Sequence, residues 1–222
     1  MELQTNDNAA PVQSIVLPPF APYYADEAVT IYNADCRQVL PFLPKFDLLL
    51  TDPPYGIGVG KMQMQAGAKR KEFSRFGWDD ATPSQWVIDS QIEVASDAII
   101  WGGNYFSVKP SRCWLMWDKI QEFSGSDFEA AWTTFDKPCK TFRMSRVEAH
   151  TNGKSHPTEK PLALIRWCMT FAPEAATILD PFAGSGTTGV AAKLEGRKAT
   201  LIEISEEYCE KAADRLRQGV LF

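Results

Sequence analysis

Short apolar runs alternate with amphipathic stretches along the chain, and this pattern predicts strands that alternate with helices. The run at 46–51 shows no alternation of apolar and polar residues, which indicates a strand buried on both faces. Strands are expected at 29–34, 46–51, 98–101, 113–119, 128–135, 140–144, 176–179 and 198–202. Helices are expected at 37–40, from an N-cap at Thr82 to about 94, around 162–169, at 190–195 and after Ser205.

These elements predict one α/β domain. Segment 140–144 is expected to pair with 128–135 as an antiparallel hairpin across 136–138. The last third has the order strand, helix, strand, helix, so the sheet there is expected to be parallel with right-handed crossovers. At 222 residues the chain suits a single domain, which we place at 28–222. An extended, partly disordered arm with four prolines is predicted at 1–27.

Composition narrows the class of protein. The net charge of −5 gives no general attraction to nucleic acid, so such contacts would need a local patch. Five scattered cysteines without a CxxC pair, and two histidines, favour reduced thiols and no metal site. Since no apolar run approaches the ~18 residues of a membrane span, and the N-terminus is polar, we expect a cytoplasmic protein that does not contact a membrane.

The strand at 46–51 ends in the turn Asp52-Pro53-Pro54-Tyr55. Two prolines cannot continue a sheet ladder, and the carboxyl edge of a parallel sheet is where α/β folds bind ligands. A carboxylate, the carbonyl of Pro53 and a flat ring together suit a planar heterocycle that carries an amino group. The alternative is a strand that ends in a proline turn with a surface tyrosine.

A basic segment at 57–80 follows this turn directly. It lacks apolar periodicity, and its position predicts a loop that faces DNA. A solvated surface loop is the alternative. The cations that we assign to DNA binding are Lys61, Lys69, Arg70, Lys71 and Arg75.

A glycine-rich turn lies between the strand at 176–179 and the helix at 190–195. Glycines allow a close approach of the backbone to a ligand. Glu203 lies 17 residues after Gly186, at the end of the next strand, where an acidic side chain can hold ribose hydroxyls. This layout predicts a nucleotide-binding half. The spacing Gly184-x-Gly186-x-x-Gly189 would also allow a dehydrogenase, whereas a P-loop is excluded because no G-K-[ST] follows.

Three motifs carry a resemblance to a known family. Segment 180–189, Asp-Pro-Phe-Ala-Gly-Ser-Gly-Thr-Thr-Gly, is similar to the S-adenosylmethionine-binding motif of DNA amino-methyltransferases. Segment 52–55 resembles their catalytic motif, and segment 156–161, His-Pro-Thr-Glu-Lys-Pro, resembles a third motif near the cofactor. Their order is that of the β class. The resemblance spans 29–217 and implies a Rossmann-like methyltransferase fold with a mostly parallel seven-stranded sheet and an antiparallel hairpin, circularly permuted so that the catalytic half (28–150) precedes the cofactor half (156–222).

The resemblance also implies residue roles. Glu203 would bind the ribose hydroxyls of S-adenosylmethionine, Asp35 its adenine amine, and Gly184, Ser185 and Gly186 its methionine portion. Asp35 could instead cap the helix that follows it, and Lys160 could be a surface residue. The catalytic set is Asp52, Pro53, Pro54 and Tyr55, and the remaining cofactor contacts are Lys160, Asp180, Phe182 and Thr187.

Aspartate before Pro-Pro-Tyr goes chiefly with adenine-N6 targets in this family, whereas serine goes with cytosine-N4. The resemblance therefore implies site-specific methylation of an adenine flipped out of double-stranded DNA, as in restriction–modification, by a compact enzyme that would suit a phage. The alternatives are a cytosine-N4 methyltransferase, a nicotinamide-dependent oxidoreductase and a catalytically idle nucleic-acid binder. Since the usual recognition segment is reduced to 143–155, the basic loop, relaxed specificity or a partner protein would account for target choice, and a dimer is left open.

Overall fold

An open sheet of nine strands runs through the part of the chain that the structure, a computed structural model, describes: residue 19 and residues 21–56, 82–120, 126–145, 148 and 159–218. The strands, in chain order, are β1 (Tyr24–Ala25), β2 (Val29–Asn33), β3 (Phe46–Thr51), β4 (Ala95–Trp101), β5 (Trp114–Asp118), β6 (Phe128–Thr133), β7 (Lys140–Arg143), β8 (Thr177–Asp180) and β9 (Lys198–Glu203).

The sheet is parallel through its centre. Its order is β1-β2-β9-β8-β3-β4-β6-β5-β7, and the antiparallel pairs are β1 with β2, β4 with β6, and β5 with β6. The seven strands that the resemblance implies are therefore too few, whereas the hydrophobic pattern predicted eight of the nine. β1 has two residues, too few to show a periodicity, and it adds part of the predicted arm to the sheet.

The predicted partner of 140–144 was also wrong. β7 pairs in parallel with β5, and the antiparallel hairpin is formed by β5 and β6. β6 has no free edge for β7, because β4 and β5 occupy its two sides.

Helices cover both faces of the sheet. α1 (Cys36–Val39) and α2 (Gln85–Glu93) pack on one face, and α3 (Leu162–Met169), α4 (Thr187–Leu194) and α5 (Glu206–Arg217) pack on the other. Short 3-10 helices follow α1 at Leu40–Phe42 and β4 at Gly103–Tyr105. The N-cap of α2 is Ser84 rather than the predicted Thr82. Among the described helices, none has the length and apolar character that crossing a bilayer requires.

β3 is the centre of this three-layer arrangement. Leu48 and Leu50 belong to the hydrophobic cluster on one side of the sheet, and Leu49 belongs to the cluster on the other. All three side chains are fully buried, which confirms the prediction of a strand covered on both faces. Since β3, β8 and β9 are parallel, their carboxyl ends place Asp52, Asp180 and Glu203 along one edge of the sheet.

Candidate active site

A cavity of about 980 Å³ opens at this edge of the sheet. A volume of this size is at the upper end of the range for small-molecule sites. Most of the predicted site residues line it: Asp35, Asp52, Pro54, Lys160, Asp180, Phe182, Gly184, Ser185, Thr187 and Glu203. The structure thus brings the two halves of the predicted site to one cavity.

The glycine-rich turn connects β8 to α4. Gly186 has a φ of +80°, and a Cβ atom there would lie 2.6 Å from the Cβ of Ala212 on α5. The turn is fixed to β9 because the Ala183 amide donates to the Ile202 carbonyl at 3.0 Å. A side chain at position 186 would therefore push α5 away from the turn.

Glu203 is held by backbone amides on both sides. Its Oε2 accepts from the Gly184 amide and its Oε1 from the Ser205 amide, each at 2.8 Å. Burial raises the pKa of this carboxyl, and the amides partly oppose the rise. The carboxylate is thus fixed at the cavity wall between the glycine turn and the start of α5.

Asp180 accepts three hydrogen bonds from within the protein. Its Oδ1 accepts from the Thr51 hydroxyl at 2.8 Å and the Phe182 amide at 3.1 Å, and its Oδ2 accepts from the Thr188 hydroxyl at 2.6 Å. Burial raises its pKa to about 6. These contacts join the ends of β3 and β8, so Asp180 supports the turn whether or not it touches a ligand.

Asp35 is the N-cap of α1. Its side chain accepts from the Arg37 amide at 2.9 Å and from Arg37 Nε at 3.0 Å. The cap, which was the alternative interpretation of Asp35, is what the structure shows. Asp35 also lines the cavity, so it is placed where it could contact a ligand. Its contact with an adenine amine stays a prediction.

Asp52 lies just past β3, and both of its carboxylate oxygens accept hydrogen bonds. The Tyr55 hydroxyl donates to Oδ1, and the Lys160 ammonium donates to Oδ2. Burial raises the pKa of Asp52, and the charge of Lys160 opposes the rise. Lys160 was expected beside the cofactor, yet its closest ion pair is with the predicted catalytic carboxylate.

The ring of Tyr55 packs within an aromatic group. It stacks on Tyr105 with centroids 5.0 Å apart and an interplanar angle of 13°, and its edge meets Phe106. Gly102, with a φ of +69°, allows this approach, because a Cβ there would lie 2.0 Å from a Tyr55 ring carbon. Tyr105 covers one face of Tyr55, and Tyr55 is not among the residues that line the cavity, so stacking of a base on its ring stays a prediction.

Charged residues that the sequence did not single out complete the site. Glu129 contacts both Lys160 and Lys119. Arg215 on α5 pairs with Glu159 at 2.8 Å and donates to the Ser185 carbonyl at 2.8 Å. Lys119, Glu129 and Arg215 belong to none of the three motifs, and the strand pairing and helix packing that bring them here are not local in sequence.

Two predicted groups lie outside the described residues. They are the basic segment with Lys61, Lys69, Arg70, Lys71 and Arg75, and the first part of the third motif, His156 to Thr158. Across the ranges that are described, no group of three or more His, Cys, Asp or Glu side chains is arranged to hold a metal ion.

The cavity fits S-adenosylmethionine by the chemistry of its lining. Glu203 and Asp35 offer carboxylate oxygens for hydroxyl and amino donors, while Phe182 and Ile204 offer apolar surface for an adenine ring. Gly184 lines the cavity with a φ of +50°, and because glycine has no Cβ the backbone there stays open to the close approach of a ligand.

Comparisons with known proteins agree with this arrangement. The family model described as DNA methylase, N6_N4_Mtase, matches residues 100–214. The chain is 24% identical to the Type II methyltransferase M2.LlaDCHI from Lactococcus lactis subsp. cremoris, and the match covers 90% of this chain and 94% of that protein.

Two solved structures share the fold. The M1.HpyAVI–SAM complex has a TM-score of 0.57 at 23% identity, over 84% of this chain and 99% of that chain. The PvuII DNA methyltransferase, which is cytosine-N4-specific, has a TM-score of 0.58 at 17% identity, over 87% of this chain and 88% of that chain. Both confirm the predicted Rossmann-like fold class.

Proposed function

The chain belongs to the N6_N4_Mtase family of DNA methylases, and from this premise we propose that it methylates the exocyclic N6 of adenine in DNA. It is a DNA amino-methyltransferase that uses S-adenosylmethionine as methyl donor. The single observation that carries the adenine proposal is that the residue before Pro53-Pro54-Tyr55 is an aspartate, Asp52, which lies at the cavity beside the cofactor half.

Asp52 favours adenine because aspartate before Pro-Pro-Tyr accompanies adenine-N6 targets in the family. The fold itself also serves a cytosine-N4 enzyme, so cytosine-N4 is the second candidate. The proposal therefore rests on the identity of one side chain.

The chemistry that Asp52 has to assist is limited by the amine. Its lone pair is delocalised into the heterocycle, which makes the nitrogen a poor nucleophile. The carboxylate of Asp52 and the carbonyl of Pro53 would accept the two amino hydrogens and favour a pyramidal nitrogen with a directed lone pair. Asp52 need not take a proton before transfer, since the nitrogen becomes acidic once it is methylated.

Bound S-adenosylmethionine supplies a methyl group that its sulfonium has already activated. The residues proposed to hold it are Glu203, the glycine turn and Asp35. What the protein adds is position, since holding two reactants in line removes much of the entropic barrier. A base in duplex DNA must leave the stack, at a few kcal/mol, to reach Asp52, and stacking on Tyr55 would offset part of that free energy.

Incubation with S-adenosylmethionine labelled on its methyl group and with DNA, followed by nucleoside analysis, tests the proposal. Label in N6-methyladenine is expected. Label in N4-methylcytosine would support the second candidate, and unlabelled DNA would overturn the proposed activity. Asp52→Ala is the control for label that the active site does not transfer.

A further inference from the structure

Four charges alternate in sign beside the proposed active site. Lys119 contacts Glu129 with Nζ and Oε1 2.6 Å apart, Glu129 Oε2 lies 3.1 Å from Lys160 Nζ, and Lys160 binds Asp52. The two lysine side chains are buried, at 4% and 6% exposed, and the two carboxylates are about three-quarters covered. The two positive and two negative charges cancel, so the row is electrically neutral as a whole.

The fold builds this row at the carboxyl edge of the sheet. Lys119 follows the last residue of β5, and Glu129 lies at the start of the antiparallel strand β6, opposite Trp117. Lys160 precedes α3, and Asp52 follows β3. Four separate segments therefore supply one side chain each.

Such a row is poorly explained by stability. Removing several ions from water costs several kcal/mol each, and buried pairs often recover no more than this. Replacing them with apolar groups can even stabilise a protein. The row ends at Asp52, the group proposed to hold the target amine, and this location points instead to a role in the reaction.

We propose that Glu129 is a positioning residue for methyl transfer: it holds the Lys160 ammonium against Asp52, and Lys160 in turn orients the Asp52 carboxylate and keeps it ionised. Lys119 neutralises the second charge of the row. The inference rests on the proposed function of Asp52, and it reassigns Lys160 from the cofactor to the catalytic carboxylate.

The charges around Asp52 predict opposite effects of two substitutions. The groups that face Asp52 and Lys160 are Tyr55, Glu129, Asp180 and Cys168. Burial raises the pKa of Asp52, Lys160 lowers it and Glu129 raises it. Burial lowers the pKa of Lys160, but Asp52 and Glu129 raise it well above the ordinary lysine value, so the ammonium stays charged. Lys160→Met should therefore raise the pKa of Asp52, and Glu129→Gln should lower it.

The test is the pH dependence of the single-turnover methylation rate of the whole protein on DNA. We expect Lys160→Met to reduce the rate about 100-fold and to move the acid limb up by about one pH unit or more. Glu129→Gln, which can still accept hydrogen bonds, should reduce the rate about tenfold and move the limb to lower pH. The KM for S-adenosylmethionine should not change in Glu129→Gln.

Matched controls remove the same charges at the opposite edge of the sheet. Arg112 and Asp136 form an exposed ion pair there, so Arg112→Gln and Asp136→Asn should leave both the rate and the limb unchanged.

Three results would overturn the inference. The first is a Lys160→Met enzyme that is faster than the wild type, which would mean that Lys160 blocks Asp52. The second is a shift of the acid limb in the same direction in both variants. The third is an acid limb in Glu129→Gln that does not move from its wild-type position. The last result decides alone if Lys160→Met does not fold. A wild-type protein that never methylates DNA would instead refute the proposed function.

Discussion

The ammonium of Lys160 binds the carboxylate of Asp52 although the two residues are 108 positions apart in the chain. This contact joins the half that carries the proposed catalytic turn to the half that carries the glycine turn. Together with the Tyr55 hydroxyl, it occupies one lone pair on each oxygen of Asp52. The carboxylate is thus oriented by the protein before any substrate arrives, which is the kind of preorganisation that positional catalysis needs.

Asp52→Ala should abolish methyl transfer, by at least about 100-fold in rate, while binding of S-adenosylmethionine survives. Glu203 and the glycine turn are unchanged in this variant, and Lys160 keeps Glu129 as a partner. Transfer of labelled methyl and titration calorimetry with the cofactor measure the two effects. An equal loss of cofactor binding would show that Asp52 belongs to the cofactor site.

Tyr55 combines a ring and a hydroxyl whose roles can be separated. Tyr55→Phe keeps the ring but removes the donor to Asp52, so the rate should fall about tenfold. Tyr55→Ala also removes the stacking surface, so its methylation rate should fall further. Tyr55→Trp keeps an aromatic ring and should retain a higher rate than Tyr55→Ala. Methylation rates and DNA affinity are the measurements, and indifference to Ala and Trp would rule out stacking.

The part of this site that the sequence could predict consists of residues that lie next to each other in continuous motifs. The Asp52 turn and the stretch from Asp180 to Gly186 are continuous segments at strand ends, and local sequence places each of them on a parallel sheet edge. The structure places Asp52, Pro54 and residues 180–185 on one cavity with Glu203. Their individual contacts with substrate and cofactor stay predictions.

The contacts that the sequence did not predict depend on strand pairing and helix packing between segments far apart in the chain. Glu129 reaches Lys160 because β6 lies between β4 and β5, and nothing within 128–135 specifies those neighbours. The same ambiguity made β7 look like a hairpin partner of β6, although it pairs with β5. Arg215 reaches the glycine turn because α5 packs on α4. The periodicity of α5 predicts that one of its faces is buried, but it does not predict which element covers that face.

Gly102→Ala should disturb both stability and activity. A new Cβ would meet the Tyr55 ring at 2.0 Å, and the φ of +69° disfavours any side chain. Gly196→Ala is the matched control, because its φ of +67° is similar and nothing lies within 4 Å of the new Cβ. We expect the control to lose about 1 kcal/mol of unfolding free energy with full activity, and Gly102→Ala to lose about 2–4 kcal/mol and most of its activity.

Urea denaturation and methylation assays distinguish the two glycine variants. Equal losses in both would mean that backbone conformation, rather than the approach of Tyr55, requires glycine at 102. In that case the Tyr55 ring would not depend on the space at this position.

Neutralising Lys69, Arg70 and Lys71 as glutamines should weaken DNA binding and flatten its salt dependence. For every phosphate that the protein no longer neutralises, the slope of log K against log salt should become shallower by about 0.9. Binding isotherms at several salt concentrations give this slope. The control neutralises three exposed lysines near the opposite edge of the sheet, Lys45, Lys137 and Lys198. A slope that stays at the wild-type value would assign the basic segment to ordinary solvated surface.

Asp180 should make the protein less stable as the pH rises. Its pKa in the folded protein is raised from 3.8 to about 6 by burial, so the folded state binds the proton more tightly than the unfolded state. The stabilisation is complete below 3.8 and is lost as the pH rises through about 6. The wild-type unfolding free energy should therefore fall, relative to Asp180→Asn, by on the order of 2–3 kcal/mol across this window.

Asp47 provides a control of opposite sign. Its carboxylate accepts from the Thr177 hydroxyl and amide, at 2.8 Å each, and these bonds lower its pKa. Relative to Asp47→Asn, the wild-type protein should lose stability as the pH falls rather than as it rises. Urea unfolding of the three proteins across the acid range gives both difference curves. A flat curve for Asp180 would show that folding does not raise its pKa, and a slope of the same sign as that of Asp47 would show that folding lowers it.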